Sequence, residues 1–240
     1  MVQTRSASAA RATPPPPATR PSPTSATVTT NTTNRSSTTP AAAILSHTPS
    51  TVVLAWLAVS LPLVAWDTGY VLLRPRSMPG GDLHWPLWVP YELYGRVDHI
   101  YGFKQWDLGN GFTAAQASLN LVETLMYLYY FYVWSSSSSA KTAGSGKRAA
   151  ITGRPAARAV LVLFSALIMT LSKTILYWLN EWWSGFDNIG HNTAWDICFL
   201  WVIPNGMWIV FPGYLIYTLG TEILDGLVPS SAQTSGLKRE

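Results

Sequence analysis

Four long apolar stretches dominate the sequence and restrict what this chain can fold into. They cover residues 51–73, 112–134, 157–179 and 194–219. Each reaches the length of about 20 residues that a helix needs to cross a hydrocarbon core of about 30 Å. Lipid offers the backbone no hydrogen-bonding partner, so such segments cross it as helices whose backbone groups bond internally. The stretches therefore predict an all-α, polytopic membrane protein whose four transmembrane helices form a bundle around a polar-lined cavity.

The overall composition agrees with a membrane protein. Of the 240 residues, 48% are hydrophobic and only 12% are charged, against roughly 25% charged residues in soluble domains. The formal net charge of +4 does not indicate nucleic-acid binding, because the Lys and Arg residues are dispersed in tails and loops. The single cysteine, Cys198, lies in an apolar stretch and can form no intramolecular disulfide.

The chain divides into three parts by composition. Residues 1–48 are rich in Ser, Thr, Pro and Ala and contain four Arg and no acidic residue, which predicts a disordered tail. A cleaved organelle transit peptide is the alternative, since such peptides are also rich in Arg and Ser and poor in acidic residues. Residues 49–225 form the predicted membrane domain, and residues 226–240 form a short polar C-terminal tail.

The basic residues predict the orientation of the chain in its membrane. The N-terminal tail, the loop between the second and third stretches, and the C-terminus all carry Lys or Arg, and with four spans these segments share one side. The positive-inside rule makes that side cytoplasmic, so both termini are expected in the cytoplasm. The sequons at Asn31 and Asn34 would then stay unmodified.

Polar side chains recur inside the apolar stretches at helical spacing. Residues three or four positions apart lie on one face of a helix, and lipid cannot satisfy polar groups, so these faces should point inward. The stripes comprise Gln116, Asn120 and Glu123 on the second stretch, Lys173, Tyr177 and Asn180 on the third, and Asn205 and Trp208 on the fourth. The first stretch contributes Asp67.

These polar groups have a structural and a functional interpretation. In the structural one, Lys173 pairs with Glu123 or Asp67 to hold the helices in register, and Asn205 satisfies backbone groups loosened by Pro204. In the functional one, carboxylates in a low dielectric donate and accept protons. An indole face, as in a tryptophan, stabilises a positive charge. Such a set of residues would suit an apolar ligand with one polar or cationic group. It would also suit a reaction in which a double bond moves through a carbocation.

The loop over 74–111 is rich in Trp and Tyr. We expect it to pack on the membrane face of the bundle, where it would act as a lid over a cavity. None of the four histidines has metal-ligand spacing, although His99 or His191 would be able to enter the cavity mouth. No nucleotide-binding glycine loop, hydrolase motif or zinc motif occurs, so we expect neither a metal nor a cofactor.

Several motifs resemble the emopamil-binding protein family, which belongs to the EXPERA domain group together with the sigma-two receptor. The most specific is Asn-x-x-Trp-x-x-x-Pro, from Asn205 to Pro212. The others are Leu176-Tyr-Trp-Leu-Asn-Glu181, Gly185-Phe186, Gly190-His191, Tyr91-Glu-Leu-Tyr-Gly-Arg-Val-Asp98 with Tyr101, and Val122-Glu123-Thr124. The similarity covers roughly residues 51–225.

The resemblance implies a domain of four helices in the endoplasmic reticulum membrane and a sterol or sterol-like ligand. In the enzyme branch the reaction is isomerisation of a ring double bond. Glu123, Asn205 and Trp208 match functional positions of that branch, and Asp67 stands where it has a glutamate. Leu63 replaces its catalytic histidine, and Thr174 replaces an aspartate. Ligand-binding roles are expected for Gln116, Asn120, Lys173, Tyr177, Asn180, Glu181, Tyr91 and Asp98.

Two functions follow from these observations. One is a sterol double-bond isomerase in which Asp67, Glu123, Asn205 and Trp208 are catalytic. The other is a non-catalytic sterol or lipid binder, or a trafficking protein, which the leucine at position 63 favours. Both functions are compatible with a homodimer. The expected partners are a hydrophobic small molecule and the bilayer, with no nucleic acid.

Overall fold

The computed structural model describes residues 45–138 and 150–227. Most of the predicted N-terminal tail (1–48) therefore lies outside the described residues, as do both sequons and most of the C-terminal tail (226–240). The part of the central basic loop that contains Lys141, Lys147 and Arg148 also lies outside them.

The described chain is mostly helical. Its helices are α1 Thr51–Leu72, α2 Pro90–Val97, α3 Phe103–Asp107, α4 Phe112–Ser138, α5 Gly153–Trp183, α6 Ala194–Asp196, a π-helical segment Ile197–Val202, and α7 Ile203–Leu227. Helix α1 begins at a capping serine, because the Ser50 hydroxyl accepts a hydrogen bond from the backbone nitrogen of Val53 at 3.2 Å.

Three of the four predicted spans are long and apolar enough to cross a membrane. They are Thr51–Leu72, Gly153–Trp183 and Ala194–Leu227. These helices fit a multi-pass membrane protein. Helix α4 has 27 residues but is not among the three, since its polar stripe and its many Tyr and Ser residues make it less apolar.

Buried apolar residues of α1, α4, α5 and α7 form one cluster, which lies in one half of the length of these helices. Helix α4 lies against α1 on one side and α5 on the other, and α5 also packs against α7. Ala156, Ala159 and Ala166 of α5 are completely buried, and such small side chains let helices approach closely. Leu163 and Leu215 fill the space between α5 and α7.

A short β-pair, which the sequence analysis did not predict, accompanies the helices. Strands β1 (Ser46–His47) and β2 (Ile151–Thr152) pair antiparallel, with His47 opposite Ile151. A strand of two residues is too short for an alternating pattern to be recognised in the sequence. The imidazole of His47 is buried, with its nitrogens 2.7 Å from Glu222 Oε1 and 2.7 Å from the Tyr130 hydroxyl.

The fourth predicted span differs from a continuous α-helix. The π-helical segment Ile197–Val202 interrupts it and ends two residues before Pro204. Proline has no N–H, so the α-helical hydrogen bond from residue 204 to residue 200 cannot form. The side-chain amide of Asn205 donates to the carbonyl of Trp201 at 2.8 Å. The carbonyl that it contacts follows that of Leu200, the one that Pro204 leaves without an α-helical donor, so the compensating role that the structural interpretation gave to Asn205 stays a prediction.

Candidate functional site

A cavity of about 450 Å³ lies in the other half of the long helices, beside the loop at 73–111. Its volume falls within the range of about 300–1,000 Å³ that is typical of small-molecule sites. Its apolar wall consists of Leu63, Val64, Pro90, Leu93, Val97, Phe199, Leu200 and Pro204. Position 63, where the resembled enzymes have a histidine, is thus part of the cavity wall.

The polar groups of the cavity converge on Asp67. The Tyr91 hydroxyl donates to Asp67 Oδ1 at 2.6 Å, and the Asn120 side-chain amide donates to Oδ2 at 3.4 Å. Tyr91 is itself buried, and burial raises the pKa of its phenol, so it stays a hydrogen-bond donor at neutral pH. Asp67 thus lines the cavity and accepts hydrogen bonds from two other lining residues.

Glu123 takes part in an ion pair rather than in the cavity wall. Its carboxylate is 2% exposed, and Lys173 Nζ lies 2.9 Å from it. The Thr170 hydroxyl donates to Glu123 Oε2 at 2.8 Å. Lys173 also donates to Asn120 Oδ1. The structural interpretation allowed Lys173 to pair with Glu123 or with Asp67. The structure shows the pair with Glu123.

Aromatic side chains close the cavity on the side of the loop at 73–111. Tyr91 stacks on Tyr70 with ring centroids 3.8 Å apart, and Tyr94 lies against Tyr101 at 4.9 Å. Tyr91, Tyr94 and Tyr101 all line the cavity, together with Trp66 of α1. The loop thus contributes aromatic residues to the lining of the cavity.

Asp98 fastens this loop to the helices. Its side chain is fully buried and accepts hydrogen bonds from the Tyr177 hydroxyl of α5, from Trp201 Nε1 of the π-helical segment at 2.7 Å, and from the backbone nitrogen of Ile100 at 3.1 Å. Burial raises the pKa of the Asp98 carboxyl to about 6, although these hydrogen bonds oppose the rise. Asp98 is therefore a buried anchor at the edge of the cavity.

The raised pKa of Asp98 gives an expected pH dependence of stability. Its folded pKa of about 6 exceeds the ordinary 3.8, so the folded state holds this proton more tightly than the unfolded state does. The stabilisation from this group is fully present below about pH 4 and is lost as pH rises through about 6. Between pH 5 and pH 7.5, Asp98→Asn should therefore show a smaller fall in melting temperature than the wild type.

The surface variant Asp82→Asn is the control for this measurement. Asp82 pairs with Arg76, and both side chains are 60% exposed, so its replacement should leave the wild-type pH slope unchanged. Equal slopes in Asp98→Asn and the wild type would contradict the assignment to Asp98.

The structure brings most of the candidate residues to one cavity. Those that line it are Asp67, Tyr91, Gln116, Asn120, Lys173, Tyr177, Asn205 and Trp208. Glu123, Asp98, Asn180 and Glu181 are not among its lining residues. Glu181 instead accepts a hydrogen bond from the Asn188 amide at 2.5 Å and holds the loop at 184–193.

Neither loop histidine enters the cavity. His99 and His191 stack on each other with ring centroids 3.9 Å apart, and the residues lining the cavity include neither. Within residues 45–138 and 150–227, no three His, Cys, Asp or Glu side chains are grouped so that they could hold a metal ion.

Two contributors to the site were missed in the sequence. Thr170 donates to Glu123, and its position three residues before Lys173 placed it on the same helix face. Trp201 donates to Asp98, but only the fold brings it to the loop. No sequence pattern links a loop aspartate with a tryptophan about 100 positions later.

Comparisons with protein-family models, with curated proteins and with solved structures find no match to this chain. The resemblance to the emopamil-binding protein family therefore stays a prediction.

Proposed function

We propose that this chain is an integral membrane protein that binds a sterol-like ligand in the cavity between its helices. The proposal rests on how apolar and polar side chains are distributed around the cavity. Its wall is apolar and aromatic, while Asp67, Asn120 and Lys173 form a connected polar group. An elongated apolar molecule with one polar end matches that distribution.

The proposal includes α4 as a fourth transmembrane helix, and the four helices then form a bundle. Its 27 residues correspond to about 40 Å at about 1.5 Å per residue, which is enough to cross a bilayer. Its position between α1 and α5 buries Asn120 and Glu123, which are its amide and its carboxylate in the middle of the span. We place the protein in the endoplasmic reticulum membrane with both termini cytoplasmic, on the basis of its basic residues and the family resemblance.

A ligand can reach this cavity from the bilayer. Leu63, Leu93 and Phe199 belong to the cavity wall and are 42%, 50% and 45% exposed. Helix α1 packs mainly against α4 and helix α7 mainly against α5, so α1 and α7 pack only loosely against each other. The side of the cavity between α1 and α7 is thus apolar and thinly covered, which suits a ligand dissolved in lipid.

Binding without catalysis is the function that the site supports best. Of the two carboxylates expected to exchange protons, Asp67 lines the cavity, whereas Glu123 is paired with Lys173 outside its wall. The apolar Leu63 adds no proton donor. Isomerisation is the second candidate, favoured by the placement of Asp67, Asn205 and Trp208 around one cavity. In that case Trp208→Leu should lower turnover more than sterol binding, because its π face would stabilise a charge that exists only in the transition state.

Expression in cells that lack their own sterol isomerase separates the two candidates. The binder predicts saturable sterol binding by the purified protein and an unchanged sterol profile in these cells. A shift of the profile toward the isomerised sterol would instead establish the enzyme. Absence of saturable binding across a panel of sterols would contradict both.

Asp67→Asn should weaken binding of a 3-hydroxysterol while the protein stays folded. The substitution keeps the side-chain size but removes the charged acceptor, and a hydrogen bond to a charged group is worth about 1.5–3 kcal/mol, so we expect a loss of about tenfold or more. The readout is equilibrium binding in nanodiscs. The exposed Asp82→Asn serves as the matched control, and equal affinity of the two variants would show that Asp67 does not contact the ligand.

A further inference from the structure

An exposed apolar segment lies beside α1, in the loop that follows this helix. All six residues at 85–90 are apolar. The side chains of Trp85, Leu87 and Val89 are 78%, 61% and 41% exposed, and the two prolines of the segment are exposed as well. Soluble proteins rarely leave a contiguous group of large apolar side chains in water. The segment therefore calls for an apolar partner.

Two indole hydrogen bonds hold this segment below the end of α1. Trp66 Nε1 donates to the carbonyl of Leu87 at 2.8 Å, and Trp88 Nε1 donates to the carbonyl of Trp66 at 3.1 Å. Trp66 lies six positions before Leu72, the last residue of α1, which corresponds to about 9 Å along the helix axis at about 1.5 Å per residue. The segment is thus attached to the side of α1 and not to its end.

Helix α1 gives this level a meaning in the membrane. It is one of the helices that are long and apolar enough to cross a bilayer. Its 22 residues span about 33 Å at about 1.5 Å per residue, close to the hydrocarbon thickness of about 30 Å. The level of Trp66 then falls inside the leaflet at the C-terminal end of α1, and the attached segment lies at the same level.

The backbone of the segment is suited to an apolar surrounding. Lipid offers no partner to backbone N–H and carbonyl groups, so irregular backbone at this depth needs partners within the protein. Pro86 and Pro90 have no N–H to satisfy. The backbone nitrogen of Trp88 donates to the carbonyl of His84 at 2.9 Å, and the carbonyl of Leu87 accepts from Trp66.

Charged residues flank the segment on both sides. Asp82 precedes it and pairs with Arg76, and both side chains are 60% exposed. Glu92 follows it and is also exposed. Charged side chains are costly in hydrocarbon and stay near water and the lipid headgroups. This pattern lets the chain enter the leaflet after Asp82 and leave it before Glu92.

We propose that residues 85–90 insert into the lipid of the leaflet at the C-terminal end of α1, where Trp85, Leu87 and Val89 contact acyl chains. The inference goes beyond the proposed sterol binding and requires only that α1 crosses the membrane. Pro90 is also a lining residue of the cavity, so the inserted segment forms part of the border between the cavity and the lipid.

Nitroxide labels at single cysteines test this inference. Cys198 is the one cysteine of the chain, so Cys198→Ser gives a cysteine-free background in which Leu87→Cys and Val89→Cys are labelled separately. Val210→Cys on α7, at a side chain that is 65% exposed, is the lipid reference, and Asp82→Cys is the water reference. For the full-length protein in nanodiscs, collisions of each label with oxygen, which concentrates in lipid, are compared with collisions with a water-soluble nickel chelate.

We expect the labels at positions 87 and 89 to collide often with oxygen and rarely with nickel, as at position 210 and in contrast to position 82. The unlabelled Leu87→Cys and Val89→Cys variants should also react with a water-soluble maleimide at least about tenfold more slowly than Asp82→Cys, because the segment would first have to leave the lipid.

Two results would overturn the inference. Frequent nickel collisions at positions 87 and 89, as at position 82, would place the segment in water. Rare collisions with both oxygen and nickel would show that protein covers it, either another part of this chain or a second copy. Neither result would contradict sterol binding, which has its own test.

Discussion

Glu123→Gln is expected to destabilise the folded protein by about 3–5 kcal/mol, the usual cost of removing one partner from a buried ion pair. Glu123 is 2% exposed and Lys173 is 11% exposed, so the substitution leaves a cation in a place that water hardly reaches. The measurement is unfolding of the purified protein by SDS in mixed micelles, followed by tryptophan fluorescence.

A double variant separates the charge from the packing. Glu123→Gln with Lys173→Met removes both charges and keeps similar volumes, so it should recover most of the lost stability. The pair Lys104–Asp187 is the surface control, since its side chains are 39% and 50% exposed. Asp187→Asn should cost about 1 kcal/mol or less. Equal stability of Glu123→Gln and Asp187→Asn would contradict the buried-pair assignment.

The sequence predicted on which face of each helix the site residues lie. It did not predict how far along the helices the cavity extends. Spacing put Gln116, Asn120 and Glu123 on one face, and Gln116 and Asn120 do line the cavity. Glu123 lies one turn further along α4, where Thr170 and Lys173 surround its carboxylate. Periodicity gives the direction of a side chain around a helix but not the level at which a cavity between helices ends.

The sequence likewise did not show how far α5 extends, which explains why Asn180 and Glu181 do not line the cavity. The predicted third span was 157–179, whereas α5 covers Gly153–Trp183. Asn180 and Glu181 therefore lie near the C-terminal end of α5, where Glu181 holds the loop at 184–193 through Asn188. Hydropathy marks the apolar part of a helix, and a polar residue such as Glu181 that extends the helix beyond that part is assigned to a loop.

The position of the loop at 73–111 beside the cavity was predictable, but its connections to the helices were not, and its role as a lid stays a prediction. Its aromatic content led to the expectation of a lid, and Tyr91, Tyr94 and Tyr101 indeed line the cavity. The attachment of Asp98 to Tyr177 and Trp201 joins residues far apart in sequence. Such contacts depend on how the helices pack, which a single sequence does not encode in any local pattern.

Val64→Trp should lower the affinity for a sterol by about 100-fold, which corresponds to about 2.7 kcal/mol. Val64 is part of the cavity wall, and an indole in its place would occupy space that the ligand needs. Overpacking itself costs typically about 1–3 kcal/mol, so the stability of the variant is measured alongside ligand binding in nanodiscs.

Val59→Trp provides the matched control on the same helix. Val59 is 53% exposed and does not line the cavity, so a tryptophan there faces lipid and should leave sterol affinity within about twofold, or about 0.4 kcal/mol. A similar loss of affinity in both variants would show that the effect comes from α1 in general. An unchanged affinity in Val64→Trp would place the ligand outside the cavity.

Photolabelling with a sterol that carries a diazirine tests the central claim, the occupation of this cavity by a sterol-like ligand, most directly. The protein in nanodiscs is irradiated with the probe, with and without excess unlabelled sterol, and the modified residues are identified by mass spectrometry. The account predicts labels on Leu63, Val64 and Leu200 of the cavity wall that the unlabelled sterol suppresses. The claim would be contradicted if labels occurred only on lipid-facing residues such as Val210, which is 65% exposed, and if the unlabelled sterol did not suppress them.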